Sequence, residues 1–73
     1  MEMVKLIDVC RAFPGTIIVH LIVHSNDMES KERKGSNEVR DILQGCWNAY
    51  HNYDVVVIKP IDRYSVEIQV VRE

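Results

Sequence analysis

Seventy-three residues with a formal net charge of −2 leave room for one domain and one hydrophobic core. At 47% hydrophobic and 27% charged, the composition is that of a globular chain and excludes a disordered one, while the acidic balance argues against a dedicated nucleic-acid binder, whose surface usually carries a basic excess. Two cysteines, Cys10 and Cys46, are too few for a disulfide-stapled secreted mini-protein. No signal-peptide pattern opens the chain, and its longest apolar run, Ile17 to Val23, is interrupted by His20 and far too short for a membrane span. The expected setting is therefore the cytoplasm, with both thiols reduced.

In chain order, residues 2–13 place Met3, Leu6, Ile7, Cys10 and Phe13 at helical spacing, with charged residues between them and Pro14-Gly15 as the stop. A strand is the alternative for this segment, with Asp8 intruding on its apolar face. Residues 16–24 (TIIVHLIVH) are rich in β-branched side chains, and their alternation puts Ile17, Val19, Leu21 and Val23 on one face and Ile18, His20, Ile22 and His24 on the other. Apolar residues on both faces predict an interior strand.

Residues 26–35 have no apolar stripe and nearly balanced charge, which predicts an exposed, mobile linker ending at Gly35. A second helix is expected from a cap at Ser36 or Asn37, with Val39, Ile42, Leu43, Cys46, Trp47 and Tyr50 on its buried stripe. Gly45 within it costs about 1 kcal/mol relative to alanine, which hints at close backbone packing. Residues 54–59 and 64–72 predict two strands joined by a turn at 60–63, the last strand having one wet face. The fold class that follows is α+β: a small two-layer domain ordered α-β-α-β-β around a three-stranded mixed sheet, with a four-stranded ββαββ arrangement as the alternative.

Chemistry is sparse. His20 and His24 would sit one turn apart on a helix, where a metal could bridge them, but on a strand they stand about 13 Å apart, so no metal site is expected. Cys46 and His51 are five residues apart and would diverge on a helix, and both cysteines fall in apolar stripes, which points to core packing rather than nucleophilic catalysis. No pair of carboxylates has acid–base spacing, and neither common glycine-rich phosphate loop is present. The sequence thus predicts no catalytic residue, no metal and no cofactor.

Two surfaces remain as candidates. His20, His24, Trp47, Tyr50, Tyr53 and Tyr64 could anchor a protein interface if the sheet leaves a face uncovered. Lys31, Arg33, Lys34 and Arg40 could contact an anion or nucleic acid at the start of the second helix, although nearby acids weaken that site. The expectation is a non-enzymatic protein-binding module, a homodimer or a subunit on a larger protein partner, with nucleic-acid binding as the alternative. In size and lack of catalytic motifs it is of the kind of small accessory or inhibitor proteins of phages and mobile elements, a likeness of type and not of residues.

Overall fold

The structure, a computed structural model, describes residues 4–72. The chain runs α1 (Leu6–Arg11), β1 (Ile18–His24), β2 (Lys31–Glu38), α2 (Val39–Leu43), a 3-10 turn at Asn48–Tyr50, β3 (Asp54–Asp62) and β4 (Ser65–Val71). The four strands form one mixed sheet in the order β2-β1-β4-β3. β1 lies parallel to β4, and each is antiparallel to its outer neighbour. The four-stranded alternative is therefore the observed sheet, with α1 ahead of it. No helix among the described residues is long and apolar enough to cross a membrane.

The β1–β4 register explains the core. Val19 pairs with Val66, Leu21 with Ile68 and Val23 with Val70, so one face of the two central strands is continuously apolar. Leu6, Val9 and Cys10 from α1 and Val39 and Ile42 from α2 close over that face. Helices this short are not stable alone, because nucleation is unfavourable and few propagating bonds follow it. Both are tethered at their N-termini by neighbouring loops. The N–H groups of Leu6 and Ile7 donate to the carbonyls of Tyr53 and His51, and those of Val39 and Arg40 donate to Ile17 and Gly15. Gly15 suits that close approach: a Cβ there would lie 3.3 Å from Cβ of Arg40, tighter than ordinary contact.

The first helix is shorter than the expected span of 2–13, and the Glu2 and Met3 of that span lie outside the described residues. The larger departure concerns 26–35. Its exposure is as the composition suggests, but Lys31–Glu38 is a strand paired along β1, not a linker. An edge strand needs only backbone partners, and the free edge of β1 supplies them whatever the side chains are. Charge on such an edge also discourages pairing with other chains. The connecting turn is held by Ser25 N–H donating to the Ser30 carbonyl and by the Asp27 carboxylate, which accepts from the Ser25 hydroxyl and the Glu29 N–H. Those two bonds hold the Asp27 carboxyl below its ordinary value, the Ser25 hydroxyl contributing most. β2 adds to the outer edge of β1, and β4 is the parallel partner on its other side.

The second helix also ends early. Gly45 has φ +127°, and the N–H groups of Gly45 and Cys46 turn back to the carbonyls of Ile42 and Asp41, closing a glycine-terminated helix end. The glycine serves backbone conformation, not close packing, since a Cβ there would meet nothing within 4 Å. Trp47 follows in the left-handed region at φ 57°. It packs half-buried against the rim of the core, while Cys46 is exposed, which corrects its expected place in the buried stripe.

Two stability outcomes follow. Leu21→Ala should lose about 2–5 kcal/mol in urea titrations, because Leu21 is fully buried between the central strands and both helices. Gly45→Ala should destabilise by about 1 kcal/mol or more through backbone strain alone, and an unchanged urea midpoint would refute this helix end.

Candidate functional site

The face of the sheet turned away from the helices is readable as four cross-strand rows. These are Glu38–Ile18–Ser65–Asp62, Ser36–His20–Glu67–Lys59, Arg33–Ile22–Gln69–Val57 and Lys31–His24–Val71–Asp54. This face is not a bare apolar surface. Ile22, at its centre, is only 7% exposed. Around it Lys31, Arg33, Lys59, Glu67 and Gln69 line a shallow depression of about 460 Å³. A relay of side chains crosses the floor: His24 Nε2 donates to Gln69 Oε1 at 2.7 Å, and Gln69 Nε2 donates to Glu67 Oε2 at 2.9 Å.

A second depression, of about 510 Å³, opens at the end of β1 and β2 and is lined by His24, Lys31, Lys34, Tyr50, Tyr53 and Arg72 among others. Tyr50 and Tyr53 meet edge to face with ring centroids 5.3 Å apart, and Nζ of Lys34 lies 5.5 Å from the Tyr50 centroid. Lys34 also pairs with Glu32 at 3.0 Å, and the Glu32 carboxylate, followed by the Tyr50 hydroxyl, holds its pKa above the ordinary lysine value. Lys31 belongs to both depressions, so they adjoin.

The structure regroups the side chains singled out from sequence. His24, Tyr50 and Tyr53, expected at a protein interface, share a depression with Lys31 and Lys34, expected at an anion site. His20 lies on the open face two rows from His24, and the two share no metal-like cluster: among the described residues no three His, Cys, Asp or Glu side chains converge. Trp47 is on the helix side against the core, and Tyr64 projects from the β3–β4 turn, 65% exposed. Arg40 is on α2, paired with Glu38 at 2.8 Å, away from Lys31 and Arg33. The sequence-predicted interface and anion groups therefore do not form two separate surfaces. Lys59, Arg72 and Gln69 join them only through strand register, which no local pattern encodes.

The β3 edge is the other feature that sequence reading missed. Val4, Val9 and Val55 to Ile58 line an apolar groove of about 330 Å³. Val4, Val57, Ile58, Ile61 and Tyr64, all on β3 or beside it, make up most of the exposed large hydrophobic residues, the rest being Ile18, Met28 and Leu43 elsewhere. The turn that follows is built by Asp62, whose carboxylate accepts from the Tyr64 N–H at 2.8 Å and the Ser65 hydroxyl at 2.9 Å. These bonds, the Tyr64 N–H first, hold the Asp62 carboxyl below its ordinary value, so their contribution is complete above the usual carboxylate range and is lost as pH falls through the lowered value.

The cysteines are chemically distinct. Burial pushes the Cys10 thiol up to about 11, so it is protonated and inert at neutral pH. The His51 ring is directed at the Cys46 backbone, donating from Nε2 to its carbonyl oxygen at 2.9 Å, not to the thiol. No protein family, curated protein or solved structure matches this chain. A thiol-reactive chromophore at pH 8 should modify Cys46 rapidly and Cys10 only on unfolding. Two equally fast thiols would contradict the burial of Cys10.

Proposed function

We propose that this protein is a non-enzymatic binding module acting by protein–protein contact, and that it pairs with a second copy of itself across the β3 groove. The observation that carries this is the collection of exposed apolar side chains along one edge. Ile58 is 46% exposed there and Val4 53%, with Val9 walling the groove beside them, while Val57, 39% exposed on the same edge strand, alternates to the open face. Exposed apolar area gathered in one patch is costly in water and marks an interface. The opposite edge of the sheet, β2, is charged and offers no such surface.

The chemistry of the groove selects its occupant. A twofold axis brings an apolar strand edge against an identical one, so each copy supplies the complementary surface the other lacks. Strand addition is not the mode of contact. Pro60 lacks an N–H, and irregularities at Val55/Val57 and Pro60/Asp62 bend the strand, while the N–H of Val55 already donates to the Val4 carbonyl. Side-chain packing of Ile58, on the helix side of β3 opposite Ile68, together with Val4 is left as the source of affinity. His20 and His24 stand on β1, with β4 between them and β3, so they lie outside this contact.

Sedimentation equilibrium at micromolar concentration should give twice the 8.5 kDa chain mass. Ile58→Glu should yield a monomer with an unchanged circular-dichroism spectrum, because the residue is exposed and contributes little to the core. The dimer should persist from pH 7.5 to about pH 5.5, since no histidine lies in the contact. A wild-type monomer at high micromolar concentration would refute the proposal.

A further inference from the structure

The five lysines and arginines that line the two adjoining depressions are Lys31, Arg33, Lys34, Lys59 and Arg72, against the carboxylates of Glu32 and Glu67 alone. This excess of positive charge sits in a chain whose formal net charge is −2, so the remaining surface is strongly acidic by comparison. Ion pairing sharpens the contrast. Arg11, Lys34 and Arg40 are held by acids within 4 Å, as is Lys5 by Asp54, whereas Lys31, Arg33, Lys59 and Arg72 in the strip, and Arg63 outside it, have no ion-pair partner among the described residues. Both carboxylates are engaged, Glu32 by Lys34 and Glu67 by the Gln69 amide.

The strip has two chemically different ends. At one, Tyr50 and Tyr53 stand beside Lys31, Lys34 and Arg72. At the other, Arg33 and Lys59 flank Ile22 and Gln69 across the sheet. Arg33 on β2 and Lys59 on β3 are three strand spacings apart, on the order of 15 Å, and Lys31 and Arg33 are about 7 Å apart along one strand. Unpaired cations spaced along a shallow track, with aromatic rings at one end of it, suit a flexible polyanion bearing planar groups: phosphates meet the cations and a base meets the rings. A folded acidic protein would satisfy the charges but would not use the exposed parts of the tyrosine rings, whose other sides pack against the core.

We propose that this strip binds single-stranded nucleic acid, its backbone running along Arg72, Lys31, Arg33 and Lys59 and a base packing against Tyr50 and Tyr53. The site uses Lys31 and Arg33 from the basic segment legible in sequence, sets aside Arg40, and adds Lys59 and Arg72 by register. Its Lys59 stands two residues from Val57 on the same face of β3 and so borders the edge proposed for self-association, while Lys31 and Arg33, on β2 at the opposite edge of the sheet, lie away from it.

The test is fluorescence anisotropy with a labelled oligothymidylate of about eight nucleotides, within the site size of a small single-strand-binding domain. Binding should be roughly 20- to 50-fold tighter at about 50 mM than at about 200 mM NaCl, the dependence expected when three or four cations displace counterions. Lys31→Glu combined with Arg33→Glu should weaken it at least tenfold, and Lys59→Glu should weaken it several-fold. Tyr53→Leu, checked for folding by circular dichroism, should cost at least about fivefold through lost base stacking. Arg40→Glu, outside the strip, should change nothing. Absence of binding, equal affinity for a DNA duplex or for a polyglutamate peptide, or indifference to the Lys31 and Arg33 reversals would each overturn the proposal.

Discussion

The parallel pairing of β1 with β4 is the constraint on which the rest of this molecule depends. It aligns Val19, Leu21 and Val23 with Val66, Ile68 and Val70 from the far end of the chain, and α1 and α2 sit on the apolar surface this makes. Parallel strands cannot be joined by a tight turn, so everything between β1 and β4 is in effect their crossover. That crossover is used twice over: β2 and β3 fold back as antiparallel outer strands, and α2 crosses the helix layer between them. A chain of this size gains its stability from one such layer, and loss of a single buried contact consumes a large share of it.

The same topology decides where the surface chemistry falls. Because both central strands present one face to the helices, their alternate residues are committed to the other face, where His20, Ile22 and His24 stand beside Glu67 and Gln69. The outer strands then bring long charged side chains over Ile22 from both sides, Arg33 from β2 and Lys59 from β3. Side chains of this kind cover apolar surface with their aliphatic stems while their charged heads remain in water. Most of the exposed apolar residues lie on or beside β3 at the edge of the sheet, with Ile18 and Val57 left on the open face.

Charge is partitioned with similar consequence. Lysines and arginines close to an acid in the fold are neutralised locally, as Lys34 is by Glu32 and Arg40 by Glu38. Others, separated from acids by strand register, retain their field. Net charge averages over both groups, so a mildly acidic composition is compatible with a strongly basic strip. Such a strip is invisible to composition and is set by which residues register places side by side.

Local rules were enough for the existence of α1, β1 and the β3–β4 hairpin but not for their bounds: α1 is shorter than expected, and β3 runs through Pro60 to Asp62, where a turn at 60–63 was expected. Each has a periodic apolar pattern with a proline, glycine or turn at its border, and such patterns report burial directly. They were not enough for β2, whose KERKGSNE sequence carries no apolar signal. Its strand conformation comes from the backbone hydrogen bonds offered by β1, and side chains do not encode a partner's free edge. The second helix failed for the opposite reason: its stripe continued through Trp47 and Tyr50, but Gly45 at φ +127° closed the helix, leaving Trp47 and Tyr50 to reach the core rim from a turn. By itself, then, the sequence determined an α+β domain, its core strands and the basic character of Lys31 and Arg33. Tertiary structure alone decided the strand order, the exposure of Cys46 and the company those cations keep, because each depends on pairing between residues distant in the chain.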